Sequence, residues 1–313
     1  MITDLGIASI GVSIPPDRLD NFARMVELNT DAGFLDEKIG TRAVSRMESG
    51  TPVSAYAAEA CRKALQTANI AADQIECVVL CTQNPEGHGI PHTSAIVHAR
   101  LGLPETCACF DISLGCSGYV YGLSVILSFM RANSMKCGLL VTADPYSRII
   151  DPMDRNTVLL FGDAATATLI CPPEQGASLF TSNFEFATRG SGGAAIANSS
   201  GILEMNGRAV FEFVITDVPA QVRQLLAHAG KSTDDVDFFL FHQGSRFIVE
   251  QLARSMKLPP EKVPLALNGT GNTVSSSIPI SLEGYLSRSK GSVFLLSGFG
   301  VGLSWASCLL HRI

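Results

Sequence analysis

Long apolar runs and basic clusters are both missing from this 313-residue chain. No apolar run reaches the roughly 18 to 20 residues that a membrane helix needs, and the N-terminus has no basic region followed by an apolar one. The formal net charge of −6 is spread along the chain without a basic cluster, which argues against a nucleic-acid-binding surface. The 46% hydrophobic content is typical of a densely packed protein with one large or two ordinary domains. We therefore expect a cytoplasmic protein that contacts neither membrane nor nucleic acid.

C-x-x-C pairs are also absent, although the chain has nine cysteines. Their number is odd and most lie inside apolar runs such as ECVVLC, which is the pattern of reduced, buried cysteines. Cys107 and Cys109 are spaced like metal ligands. So are His88 and His92, but Pro91 interrupts that pair and no second pair completes a tetrahedral set. We expect no metal site.

Short apolar runs alternate with longer stretches of helical period. Runs of this kind indicate buried strands, and the longer stretches indicate helices that cover them. The strand candidates include 75–82, 108–113, 137–143, 165–171, 236–242, 263–267 and 291–297. The helix candidates include 54–69, 92–101, 117–132, 217–229, 245–256 and 275–286. The alternation predicts an α/β fold with buried sheets.

The order of these elements occurs twice. DQIECVVLC and DDVDFFLFH, which begin 161 residues apart, share an acidic turn followed by an apolar strand. Further on, LPETCACFDISLGCSGYVYGLSV aligns with LPPEKVPLALNGTGNTVSSSIPISL, which sets Cys116 opposite Asn272. Chance similarity between two α/β segments is the alternative. We predict a duplicated fold with an N-terminal half over 1–174 and a C-terminal half over 175–313.

Cys116 stands where a predicted strand becomes a helix, in FDISLGCSGYVYGLS. A helix N-terminus favours the thiolate through its free N–H groups and dipole, by about one pKa unit at most. His242, which ends a strand in FLFHQGS, is the natural second activating group. Each residue alone has a structural alternative: a buried turn cysteine, a satisfied histidine and, for Asn272, a helix N-cap. Their repeat-related positions favour one active site at the strand ends.

The sequence resembles the thiolase-fold condensing enzymes, and most closely β-ketoacyl-acyl-carrier-protein synthase III. Seven segments in the family's order carry the resemblance: IGTR (39–42), FDISLGCSGYVYGLS (110–124), DPMDRNTVLLFGDAATATLI (151–170), LEMNGRAVFEF (203–213), FHQGS (241–245), GTGNTVSSSIP (269–279) and SGFGVGLSWAS (297–307). The resemblance implies a layered α-β-α-β-α architecture, a homodimer and no tightly bound cofactor.

The resemblance also implies a reaction in two steps. Cys116 would take an acyl group from acyl-coenzyme A as a thioester, and malonyl-acyl-carrier protein or malonyl-coenzyme A would then lose carbon dioxide. The resulting enolate would attack the acyl-cysteine to start fatty-acid or polyketide synthesis. His242 and Asn272 would donate hydrogen bonds to the enolate oxygen. The backbone N–H groups of Cys116 and Val301 would hold the oxygen of the acyl group.

Other matched positions concern substrate binding. The family's coenzyme A contacts fall on Phe34, Lys38, Arg155, Gly207, Phe211 and Ser245, and the acyl pocket on Phe299 and on Ile90 of a partner chain. Phe34 and Lys38 replace a tryptophan and an arginine, which weakens stacking and phosphate contact. Ser245 replaces an asparagine, and Glu212 stands where a carrier-docking lysine is common. Structural alternatives remain, since Arg155 could pair locally and Phe211 could belong to the core.

Two other functions compete with condensation. The first is an acyltransferase that uses Cys116 and His242 to move an acyl group onto an oxygen, nitrogen or sulfur acceptor without decarboxylation. The second is a non-catalytic partner subunit that keeps the fold. Asn272 favours condensation, because a simple acyltransferase has no use for an enolate-binding donor.

Overall fold

The computed structural model describes residues 4–287 and 292–312. The N-terminal half contains β1 (Gly6–Ser13), β2 (Asp17–Asp20), β3 (Ala43–Arg46), α1 (Val53–Ala68), β4 (Cys77–Cys81), α2 (Thr93–Leu101), β5 (Ala108–Ile112), α3 (Gly118–Ala132), β6 (Gly138–Ala143), α4 (Arg155–Val158) and β7 (Ala165–Cys171). The C-terminal half contains β8 (Leu179–Thr188), β9 (Ile196–Ala197), β10 (Glu204–Met205), α5 (Gly207–His228), β11 (Phe238–Phe241), α6 (Arg246–Ser255), α7 (Ser277–Glu283), β12 (Val293–Gly300) and β13 (Ser304–Arg312).

Nine strands form one sheet whose two parts mirror each other. The strand order is β11-β12-β13-β8-β1-β7-β6-β4-β5, and β1 meets β8 through a single antiparallel pair, Ile7 and Leu179. Outward from this centre, β1, β7, β6 and β4 on one side correspond to β8, β13, β12 and β11 on the other. In both parts an antiparallel pair (β6–β7, β12–β13) is followed by a parallel pair (β4–β6, β11–β12). The predicted duplicated α/β fold is therefore confirmed, while the division at 174 and 175 stays a prediction.

Helices cover both parts of the sheet and also separate them. On the outer side of the N-terminal part lie α1 and α2, and on the outer side of the C-terminal part lies α5, with α6 packed on α5. Between the two parts lie α3 and α7, which contact strands of both. Because β4 and β6 are covered on both faces, every residue in them is buried, which explains their continuous apolar sequence. The layers follow the order α-β-α-β-α.

Three predicted elements differ from the structure. The prediction of a strand at 263–267 is wrong. Pro264 has no N–H to donate to a neighbouring strand, and the N–H of Ala266 donates to the side-chain oxygen of Gln243 at 2.9 Å instead. The helix at 217–229 begins ten residues earlier, at Gly207, and runs through Pro219. The helix at 275–286 is shorter, because a 3-10 turn precedes it.

Two further predictions concern the strand at 291–297 and the absence of a membrane helix. The predicted strand 291–297 starts at a residue outside the described ones, and the observed strand is β12. Within the described part of the chain, no helix combines the length and the apolar character needed to cross a membrane.

Candidate active site

A largely apolar pocket opens where β11 and β12 end and where α3 and α7 begin. Its empty space, with the solvent at its open mouth included, is about 780 Å³. Eight of the residues predicted from the sequence line it: Lys38, Cys116, Gly207, Phe211, His242, Ser245, Asn272 and Phe299. The pocket thus brings together Cys116 and Asn272, which occupy equivalent positions in the two halves of the repeat, and His242, which follows the end of β11.

Cys116 lies in the loop between β5 and the first turn of α3, and it is 6% exposed. The end of β12 packs directly against it. A Cβ atom built on Gly300 would lie 2.8 Å from the Cys116 Sγ, closer than real Cβ contacts, so the thiol fits only because residue 300 is glycine. The backbone N–H groups of Val301 and of Cys116 itself are near enough to the sulfur to lower the pKa of the thiol. The two expected oxyanion donors therefore meet at the thiol.

Burial controls the protonation of the thiol and the imidazole. Desolvation raises the pKa of Cys116 to about 12, with a smaller increase from the Asp144 carboxylate, and the N–H groups of Val301 and Cys116 only partly oppose it. Desolvation likewise lowers the pKa of His242 to about 3, against a hydrogen bond with the Val274 backbone. Burial therefore outweighs the lowering of the thiol pKa that the helix N-terminus was expected to give. Near pH 7 both side chains are neutral.

One backbone contact and two ring contacts hold His242 in place. Its backbone N–H donates to Ser297 O at 2.8 Å, which continues the β11–β12 pairing beyond β11. Its Nδ1 lies 2.8 Å from the Ser277 Oγ, and the ring of Phe299 meets it edge-on with centroids 5.6 Å apart. Since Nδ1 is engaged with Ser277, Nε2 is the ring nitrogen left for the pocket.

Asn272 is oriented by its own backbone turn. Its Oδ1 accepts from Val274 N at 2.9 Å and its Nδ2 donates to Gly244 O at 3.3 Å, so one N–H of the amide remains for a ligand. Val274 is β-branched and has a φ of +53°, a strained conformation that turns its N–H toward Asn272. The alternative role as N-cap is wrong, because Ser276 occupies the N-cap position of α7.

Behind the pocket, a buried carboxylate ties three loops together. Asp144 is completely buried, and it accepts from Gln83 N at 2.6 Å and from the Ser275 Oγ at 2.5 Å. Desolvation raises its pKa to about 6, against these hydrogen bonds. Asp144 thereby links the loops after β4 and β6 to the segment that carries Asn272.

At the pocket mouth, aromatic rings and cations alternate. The Lys38 Nζ lies 3.6 Å from the centroid of the Phe247 ring, and Phe247 stacks on Phe211 with centroids 5.3 Å apart. Phe34 and Arg155 do not line the pocket, but the Arg155 guanidinium lies 5.6 Å from the Phe34 ring. Arg155 also donates to Asn29 O at 2.8 Å, so part of its role is local.

Two predicted binding residues have other surroundings. The Ser245 Oγ accepts from Ile248 N at 3.2 Å and caps α6, although the residue still lines the pocket. Ile90 is 87% exposed and lies outside this pocket, on the surface of the chain.

Sequence reasoning missed several residues of the site. Gly300 could have been found from the glycine spacing in GFGVG, which is typical of close backbone approach. Asp144 and Phe247 have no local signal, because their roles depend on contacts between distant segments. Ser277 is one of three consecutive serines, and the sequence does not indicate which of them faces His242.

All nine cysteines are free, and eight of them are buried. The sulfur atoms of Cys107 and Cys109 lie 4.0 Å apart. In the ranges 4–287 and 292–312, no three His, Cys, Asp or Glu side chains are grouped so that they could hold a metal ion.

The layered, duplicated fold with a cysteine, a histidine and an asparagine in one pocket is that of a thiolase-fold condensing enzyme. Two family models match the chain: "3-Oxoacyl-[acyl-carrier-protein (ACP)] synthase III" over residues 110–188 and its C-terminal counterpart over residues 226–312.

Individual proteins are similar over nearly the full length. The chain is 33% identical to a β-ketoacyl-[acyl-carrier-protein] synthase III of Geobacillus kaustophilus over 311 residues, which covers 98% of each protein. It is also 33% identical to the synthase III 2 of Streptomyces coelicolor, with 96% of this chain and 92% of that protein covered. The crystal structure of the synthase III from Aquifex aeolicus matches with a TM-score of 0.92 at 28% identity, covering 98% of this chain and 100% of that one.

The chain therefore belongs to the 3-oxoacyl-[acyl-carrier-protein] synthase III family. It is an acyltransferase of the β-ketoacyl-acyl-carrier-protein synthase III type, and its reaction is a decarboxylative Claisen condensation.

Proposed function

We propose that this enzyme carries an acyl group from acyl-coenzyme A on Cys116 and condenses it with malonyl-acyl-carrier protein or malonyl-coenzyme A. The observation that carries the proposal is the meeting of Cys116, His242 and Asn272 in one apolar pocket, with an N–H of Asn272 left for a ligand. We further propose that it works in the cytoplasm as a homodimer without a tightly bound cofactor.

In the first step, the sulfur of Cys116 attacks the thioester carbonyl of the donor. The S–H bond breaks, the new S–C bond forms, and the coenzyme A sulfur leaves with the proton. His242 is neutral and can take the thiol proton as it is released. The N–H groups of Cys116 and Val301, which lower the pKa of the thiol, hold the carbonyl oxygen as it becomes negative.

In the second step, the malonyl thioester loses carbon dioxide and its electrons form an enolate. His242 and Asn272 stabilise the enolate oxygen by hydrogen bonds, and no other acid is needed if these donors are fixed in advance. The enolate carbon attacks the acyl carbonyl on Cys116, a C–C bond forms, the C–S bond breaks, and the thiolate takes up a proton. Asn272 favours this reaction over plain acyl transfer to an oxygen, nitrogen or sulfur acceptor.

Residues inside the pocket and a pair outside it support a coenzyme A donor. Phe34 and Arg155 lie together and offer a flat aromatic face and a cation for the adenine end of the donor. Gly207, Phe211 and Ser245 line the same pocket as Lys38, and the pantetheine arm would pass beside them.

The test uses intact-protein mass spectrometry with acetyl-, isobutyryl- and octanoyl-coenzyme A. We expect the protein mass to increase by the mass of the acyl group, and Cys116→Ala to abolish this increase. When malonyl-acyl-carrier protein or malonyl-coenzyme A is then added, we expect the adduct to disappear and a 3-oxoacyl product to be released. Asn272→Ala should keep the first step and slow the second by about 100-fold or more, since one preorganised donor contributes roughly 2.7 to 4 kcal/mol. An adduct that resists both malonyl donors but reacts with a simple amine or thiol would instead indicate plain acyl transfer.

The dimer has a separate test. Ile90, exposed in one chain, would line the acyl pocket of its partner together with the partner's own Phe299 wall. We expect sedimentation to give twice the mass of one chain, and Ile90→Phe to shift the preference toward shorter acyl groups. A monomer, or an unchanged preference, would refute this part of the proposal.

A further inference from the structure

The Nδ1 of His242 lies against the hydroxyl of Ser277, and the Val274 backbone is a second polar neighbour of the ring. Ser277 is the first residue of α7, is 3% exposed, and has its Oγ 2.8 Å from the His242 Nδ1. Two further polar groups contact the same Oγ: Val274 O at 3.0 Å and Gln243 N at 3.3 Å. The hydroxyl is therefore shared among three neighbours in a buried site.

The donors and acceptors around Ser277 fit only one arrangement well. A hydroxyl donates one hydrogen and accepts up to two, while Gln243 N can only donate and Val274 O can only accept. If the hydroxyl donates to Val274 O, then Ser277 accepts from both Gln243 N and a protonated Nδ1, and every group is paired. Val274 O also accepts from the backbone N–H of Ser277, so it is paired in either case. If the hydroxyl donates to Nδ1 instead, however, the Oγ and Val274 O lie 3.0 Å apart with no hydrogen between them, and the two oxygens repel each other in a buried site.

We propose that Ser277 is a positioning residue that fixes His242 as the Nδ1–H tautomer, so that Nε2 offers a lone pair to the pocket in the free enzyme. The inference rests on the proposed function, because it assigns this lone pair to the thiol proton of Cys116. As the sulfur attacks the donor, the proton passes from Sγ to Nε2, and it leaves with the coenzyme A sulfur when the donor C–S bond breaks.

The same contact also serves the second step. To donate to the enolate oxygen, Nε2 takes up one proton from solvent after coenzyme A has left, and with Nδ1–H still in place the ring is then a cation that the negative charge of the malonyl group balances. The ring gives this proton to the Cys116 thiolate when the acyl C–S bond breaks. Ser277 continues to accept from Nδ1–H in that form, with its own hydrogen directed to Val274 O. Val274, whose backbone is strained, thus orients two residues of the site. Its N–H orients Asn272, and its carbonyl orients the Ser277 hydroxyl that contacts His242.

The tautomer can be measured directly by NMR on protein labelled with ¹⁵N-histidine. The chain has six histidines, and the signals lost in His242→Asn identify those of His242. We expect the free enzyme at pH 7.5 to show a protonated Nδ1 and a bare Nε2. Ser277→Ala should shift the signals toward the Nε2–H form, and Ser277→Thr, which keeps the hydroxyl, should restore the wild-type spectrum.

Ser281→Ala is the matched control. Ser281 is also buried, lies one turn later on α7 and donates to Ser277 O at 3.0 Å, so its loss disturbs the same helix without touching the imidazole. We expect its spectrum and acylation rate to equal those of the wild type. The single-turnover acylation rate of Ser277→Ala, followed by intact mass, should fall between about 10-fold and 100-fold, a part of what a general base contributes.

A bare Nδ1 in the wild-type spectrum would overturn the inference, and this result does not depend on any variant folding. An unchanged tautomer and acylation rate in Ser277→Ala would overturn it as well. If the wild-type enzyme forms no acyl adduct with any donor, the proposed function fails, whereas the spectra still decide whether Ser277 sets the tautomer.

Discussion

Replacing Gly300 by alanine should block acylation of Cys116 while the fold is retained. A Cβ at residue 300 would lie 2.8 Å from the Sγ and 2.9 Å from the Cβ of Cys116, whereas ordinary contacts begin at 3.4 Å. Gly300 does not have a positive φ, so alanine fits its backbone conformation and the effect is one of space. The thiol or the strand must therefore move by at least about 0.6 Å.

Two magnitudes follow from this overlap. Overpacking a buried site by one methyl group costs about 1 to 3 kcal/mol of unfolding free energy. A displacement approaching 1 Å at a reacting atom costs on the order of 100-fold in rate, because the sulfur leaves the two N–H groups that await the acyl oxygen. We therefore expect a folded protein that acylates at least about 100-fold more slowly.

The assay is the time course of acyl-enzyme formation by intact mass, together with urea unfolding. Gly284→Ala is the control, since a Cβ there meets no atom within 4 Å and its φ of −62° suits alanine. This variant should acylate at the wild-type rate. Acylation by Gly300→Ala at the wild-type rate would show that β12 does not confine the sulfur and would refute this prediction.

Two further predictions concern the buried titratable groups. His242 stays neutral in the folded protein down to about pH 3 but takes up a proton near pH 6.5 when unfolded. The unfolding free energy should therefore fall by up to about 1.4 kcal/mol per pH unit as the pH drops from 6.5. Urea unfolding of wild type and His242→Asn at pH 6.5 and 4.5 measures this slope. The difference between the two proteins isolates the effect of His242, because the opposing effect of Asp144 is common to both. Asp144→Asn should lower the unfolding free energy by about 1 to 3 kcal/mol, since an amide nitrogen cannot accept from Gln83 N or Ser275. The same variant should speed alkylation of Cys116 by iodoacetamide at pH 9, because the neighbouring negative charge is gone. An equal pH slope in both proteins, or slower alkylation, would contradict these two predictions.

The internal repeat made much of the site predictable from the sequence. It set Cys116 opposite Asn272, and the structure brings both into one pocket with His242 because α3 and α7 occupy equivalent places between the two parts of the sheet. The strand and helix periods likewise placed β4, β6 and β7 within one or two residues.

Other features depend on contacts that no local pattern contains. The thiol pKa follows from how completely the pocket excludes water, and that outweighs a helix dipole that the sequence does predict. The predicted helix 217–229 placed Pro219 near its start, where proline is tolerated, whereas in α5 the same proline lies in the interior of the helix. Tertiary packing tolerates it there although its helix propensity is poor. The tautomer assigned to His242 depends on which of three serines reaches the ring, and this is set by the strained turn at Val274.

The helices α3 and α7 have a consequence for how the molecule comes apart. Each is covered on opposite sides by strands from both parts of the sheet, and their side chains belong to one continuous core. A chain cut between residues 174 and 175 would leave each fragment with an uncovered apolar layer, so neither fragment should be stable alone, while the two together should reassemble.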